Sequence, residues 1–138
     1  YWTAAQWKSL GNVSINNLNW SHYKRARVRH WLWEDQQHID TLSYEQAPSL
    51  DGNTEGQVTF YDYADKPNSF TIGSQIRPAM IARKLPDGSI SYRKWTRNLR
   101  GNITSTTETY TKSDGSIGTR TATLTYDSSG IDLLTETD

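Results

Sequence analysis

The chain has 138 residues, enough for one domain, but only 34% of them are hydrophobic and the mean hydropathy is -0.80, a composition that excludes a large dry core. Fifteen Lys and Arg balance fifteen Asp and Glu, so no whole-protein field gathers nucleic acid or an anionic membrane, and any electrostatic partner has to be local. Cysteine is absent, which excludes disulfides, thiol catalysis and thiolate metal sites while leaving the redox compartment open.

Residues 1–24 form a leading segment whose docking the sequence does not set. It lacks the charged region followed by an apolar one that marks a signal peptide, and no run in the chain approaches the roughly 20 apolar residues that span a bilayer. The chain opens on Tyr1, has its one methionine at Met80 and stops at "LLTETD", which reads as a piece of something longer.

"RARVRHWLW", Arg25 to Trp33, sets three arginines and two tryptophans in nine residues. On a strand, Arg25, Arg27, Arg29, Trp31 and Trp33 share one face and Ala26, Val28, His30 and Leu32 the other. Guanidiniums beside indoles gain about 0.5–1 kcal/mol each at exposed sites, so such a ladder stabilises itself without a ligand. The alternative is a ligand face: a glycan or a single nucleic-acid strand stacks on Trp31 and Trp33 while the arginines take hydroxyls or phosphates. Charge balance argues against nucleic acid, and a glycan needs no such field.

His22, His30 and His38 invite a metal reading, but eight residues of strand separate the first two by roughly 26 Å, too far for one ion. Neighbouring Glu34 and Asp35 face opposite ways on a strand and make a poor acid/base pair. No nucleophile elbow, P-loop or dinucleotide fingerprint occurs, so neither an enzyme nor a cofactor is expected. Asn12, Asn19 and Asn102 match the glycosylation pattern and read as chance matches.

Strand signals dominate the remainder of the chain, and all-β is the economical fold class. Between Tyr44 and Ser74, turn formers imply longer loops, with Asp51-Gly52 among them. "IARKLPDGSISYRKW" reads as a hairpin turning at Asp87-Gly88, and "TETYTKSDGSIGTRTATLTY" as a second turning at Asp114-Gly115, because Gly supplies the positive φ of a tight turn. In "GTRTATLTY", Thr119, Thr121, Thr123 and Thr125 line one face, and Arg120, Ala122, Leu124 and Tyr126 the other.

"WTRNLRGNITSTTE" and "YDSSGIDLLTETD" share an outline: an aromatic, polar residues, a glycine, an Asn or Asp close behind, an aliphatic, then a Thr-rich tail with an acid. Gly101 and Gly130 lie 29 positions apart, a repeat-like spacing. Here the second segment resembles the YD repeat of the bacterial RHS family, with Tyr126, Asp127 and Gly130 in the motif. The first resembles another copy, with Gly101, Asn102 and Ile103 matching and Trp95-Thr96 in place of Tyr-Asp. "RARVRHWLW", "EQAPSLDG" and "RPAMIARKLPDGSISYRKWTRN" are similar in order and spacing to an upstream stretch of RHS proteins, so the likeness covers most of the chain from about Arg25.

The resemblance implies consecutive antiparallel β-hairpins forming a curved strip, part of a hollow shell that encloses a C-terminal toxin, in a secreted or cell-surface protein. The family's self-cleaving motif does not occur here, and its chemistry is not carried over. On this reading residues 1–138 are one hairpin segment with a structural role, whose partners at open sheet edges are the remainder of a parent shell or another copy. The alternative is an aromatic-rich β module that binds carbohydrate.

Overall fold

The computed structural model describes residues 1–11, 13–51 and 53–138. The Asp51-Gly52 turn and the Asn12 glycosylation match therefore fall partly or wholly outside the described residues. Eight strands form one antiparallel sheet in chain order: β1 (Val28–Glu34), β2 (Gln37–Gln46), β3 (Val58–Asp62), β4 (Met80–Lys84), β5 (Ile90–Arg97), β6 (Ile103–Thr111), β7 (Ile117–Tyr126) and β8 (Leu133–Thr137). Every strand pairs with its sequence neighbours, so the all-β class and the order of consecutive hairpins agree with the sequence reading. The sheet is open and uncurled across these strands, and the curve implied by the resemblance is not a feature of this segment.

The leading segment is helical where no strand pattern exists. Thr3 and Gln6 form a reciprocal capping box that starts α1 (Ala4–Ser9), and Asn19 with His22 does the same for α2 (Trp20–Tyr23). Trp2 stacks on Tyr23 with ring centroids 5.8 Å apart, and the Arg27 amide donates to the Tyr1 carbonyl at 2.8 Å, which ties this segment to the start of β1. No helix among the described residues is long and apolar enough to cross a membrane.

The tight turns follow two chemistries. Asp35 and Gln36 join β1 to β2 with φ of 46° and 67°, the left-handed pair that matches the twist of a two-residue hairpin. At Leu85–Ser89, Asn98–Asn102 and Lys112–Ser116 the first residue's amide donates to the last residue's carbonyl, and a glycine at φ near 80° donates back to the first residue's carbonyl. These are three-residue loops in which a turn is closed by a left-handed glycine. Asp87 and Asp114 each add one carboxylate oxygen that accepts from the amide and hydroxyl of the serine two residues on. Longer connections, 47–57 and 63–79, flank β3 in the turn-rich region.

Little is buried: glycine aside, the covered residues among those described are Ala26, Leu32, Gln46, Val58, Tyr63 and Ala82, and none of them lies beyond β4. Stability downstream has to come from ladders and cross-strand pairs, worth about 0.2–1 kcal/mol each. One face carries the row His30, Tyr44, Phe60, Ala82 and Tyr92 across five strands, with edge-on ring pairs His30–Tyr44 and Tyr44–Phe60. Farther along, that face becomes hydroxyl: Thr96 meets Thr104 at 2.9 Å, Thr107 meets Thr121 at 2.9 Å and Thr125 meets Thr135 at 2.5 Å. The opposite face carries the row Tyr61, Ile81, Arg93, Glu108 and Arg120.

Candidate functional site

Two places in the sheet collect the residues singled out by sequence. The first is the arginine and tryptophan end of β1. The strand begins at Val28, so Arg25 does not share its face: it sits in the turn after α2, where its amide donates to the His22 carbonyl. The expected five-residue face is corrected to Arg27, Arg29 and Trp31, because the cap at Asn19 makes the preceding residues helical. Arg27 Nη1 and Arg29 Nε both reach Glu45 Oε1, at 2.8 and 3.0 Å. Partial burial raises the Glu45 carboxyl, and the hydrogen bonds from Arg29 and Arg27 outweigh it, leaving the group below its ordinary value. The Arg29 guanidinium lies 5.9 Å from the Trp31 ring and equally far from Tyr1.

Trp33 is set apart by two register shifts between β1 and β2. Its ring packs 3.8 Å from His38, and its main chain bridges to Phe70 and Ile72 of the long loop. Beside Arg29 and Trp31, Tyr61 and Tyr63 help to line a shallow hollow of about 350 Å³. Sequence reasoning missed both tyrosines, although the alternation of "VTFYDY" was enough to place them on one face.

The histidines are dispersed: His22 Nδ1 accepts from the Asn19 amide, His30 packs on Tyr44, and His38 on Trp33. Asp35 belongs to the hairpin turn rather than to an acid/base pair with Glu34.

The second place is the repeated turn. Asn98 Oδ1 accepts from the amides of Arg100 and Asn102, while Asp127 Oδ1 accepts from those of Ile131 and Asp132 and from the Ser129 hydroxyl. Gly101 and Gly130, at φ 84° and 75°, stand three residues after Asn98 and Asp127. The structural counterpart of Asp127 is thus Asn98, and that of Tyr126 is Arg97. The sequence alignment that placed Trp95-Thr96 opposite Tyr126-Asp127 is corrected by two residues, because the side-chain acceptor, not the aromatic, fixes the turn. Trp95 instead pairs with Thr106, under the Arg97 guanidinium at 5.9 Å.

The two turns touch. Asn98 Nδ2 and Asn102 Nδ2 donate to the Gly130 carbonyl at 2.8 and 2.9 Å. Tyr126 donates its hydroxyl to the Ile103 carbonyl at 2.7 Å, and Tyr63 does the same to Leu42 at 2.7 Å, each reaching back to the preceding strand. The Ser129 hydroxyl, followed by the turn amides of Ile131, Ser129 and Asp132, holds the Asp127 carboxyl down to about 2. On the charged face Arg120 and Arg93 both pair with Glu108 and keep it below its ordinary value.

Comparison with models of protein families, with curated proteins and with solved structures finds no match to this chain.

Proposed function

We infer that the chain is a structural, non-enzymatic hairpin segment of an RHS-type shell that encapsulates or presents a C-terminal toxin in a secreted or cell-surface protein. The observation that carries this reading is the repeated turn: one acceptor side chain, one left-handed glycine three residues on, and amides from the first turn donating to the glycine carbonyl of the next. A contact that locks one such turn to the next suits a unit made to be repeated. Thin burial and hydroxyl rows suit a strip whose two faces serve as walls. The parent reading frame tests the proposal. Further Tyr-Asp…Gly units on both sides and a distinct C-terminal region are expected, and a parent with neither overturns it.

The hollow beside Arg29, Trp31 and Tyr61 favours carbohydrate binding as a second reading, since an indole and guanidinium at an open depression suit a sugar ring. Titration of tryptophan fluorescence with a panel of oligosaccharides decides it. Saturable binding lost in Trp31→Ala supports this reading, and no response to any member of the panel overturns it.

A further inference from the structure

The loop 47–57 and the turn at Leu85–Ser89 stand side by side where β3 begins and β4 ends, at the opposite end of the sheet from the repeated turns. They enclose a hollow of about 620 Å³, within the roughly 300–1,000 Å³ of small-molecule sites. Pro48 and Leu50 come to it from the loop, Leu85 and Pro86 from the turn, and the buried Val58 from the strand between them.

The hollow is held open by bonds within the chain. The Ala47 amide donates to the Gln57 carbonyl at 2.8 Å and pins the loop at its root. Gly56 passes so close to Ala47 that a Cβ there would strike the Ala47 carbonyl. Gln57 Nε2 donates to the carbonyls of Val58 and Lys84 at 2.9 and 2.8 Å, which ties the loop to the end of β4. These main-chain groups are satisfied internally, and the leucines and prolines are left to meet an occupant. Leu50 is fully exposed, so an occupant that covers it removes a whole leucine side chain from water.

The ionisable residues of the lining are Lys84 and Glu55, paired at 2.9 Å. That pair is formally neutral, so it orients an occupant more than it attracts one. The ammonium is the more accessible partner, 47% exposed against 33%, and the bond to Glu55 uses one of its three protons. We propose that this hollow binds a small amphiphile, with an apolar body, aromatic or acyl, against the leucines and prolines and one acidic group on Lys84 Nζ. The site is separate from the hollow beside Trp31 and stands apart from both the shell and the carbohydrate readings.

Two matched probes test it: anilinonaphthalene sulfonate and phenylnaphthylamine, the same ring system with and without the acid, each of which brightens on leaving water. Titrated against the 138-residue chain, both should bind saturably, and decanoate should displace both. Leu50→Asp changes a fully exposed position, so the far-UV spectrum should be retained while both probes weaken at least about tenfold. Lys84→Met should weaken the sulfonate about tenfold and leave the neutral probe within about twofold, since a charge-assisted hydrogen bond is open to the acid alone. No brightening of either probe, brightening unchanged in Leu50→Asp, or equal loss of both probes in Lys84→Met overturns the proposal. Each of those results leaves the shell reading to the parent reading frame, which tests it separately.

Discussion

Asp127 and Asn98 hold the same place in two turns and use one oxygen in the same way, accepting two main-chain amides each. The carboxylate differs from the amide in being titratable. Its folded value of about 2 lies below the ordinary 3.8, so the stability it contributes is fully present above about pH 4 and is lost as pH falls through about 2. Asp127→Asn, which keeps the acceptor as Asn98 does, should match the parent near neutrality. It should gain on the parent as the pH falls from about 4 to about 2, measured by urea unfolding at each pH. Tyr126→Phe removes the hydroxyl that donates to Ile103 and should cost about 1 kcal/mol in the same assay. Asp127 and Gly130 were legible in the sequence, and Asn98 was not. Trp95 offered a better match by letter, and only the folded chain shows that the turn is organised around the acceptor.

Each tight turn of the downstream hairpins places a glycine where other residues would be strained. Gly101→Val should destabilise by about 1–2 kcal/mol from the left-handed conformation alone. Gly130→Val should cost more, because a Cβ there would stand 3.1 Å from Asn98 Nδ2 and press on the turn-to-turn lock. Thermal unfolding of the two variants ranks them. Equal losses would mean that the contact between the turns contributes nothing. Asn98→Ala removes both the acceptor within its own turn and one donor to the next, with an expected loss of about 1–3 kcal/mol. The Asp-Gly hairpins were readable because glycine and aspartate announce their turn. The Asp35-Gln36 turn was not, since neither residue is the glycine that usually signals two left-handed positions. Arg25 was placed on β1 by alternation alone, and the Asn19 cap, which starts a helix, took it off.

At the scale of the whole molecule, a formally neutral chain separates its chemistry by face. Arginines and glutamates pair across one side of the sheet, with Trp31, Tyr61 and Trp95 among them, while the rings of His30, Tyr44, Phe60 and Tyr92 and then threonines line the other, and the turn aspartates keep their charge at the ends of the strands. Composition was enough to foresee a thin core, and the pattern of short alternating runs was enough to foresee consecutive hairpins. Which threonine meets which, and where the β1–β2 ladder slips, depends on register, and register follows from pairings between distant residues that local pattern does not encode.

The central claim is that the strip is held hairpin by hairpin through its ladders, so that damage at one end is not felt at the other. Native-state amide hydrogen exchange on Leu32→Ala tests it most directly. Leu32 is fully buried in β1, and truncating such a leucine costs about 2–5 kcal/mol where it acts. The account predicts that protection falls in β1 to β3 and is retained in β6 and β7. Loss of protection to the same degree in all eight strands would show one cooperative core and contradict it.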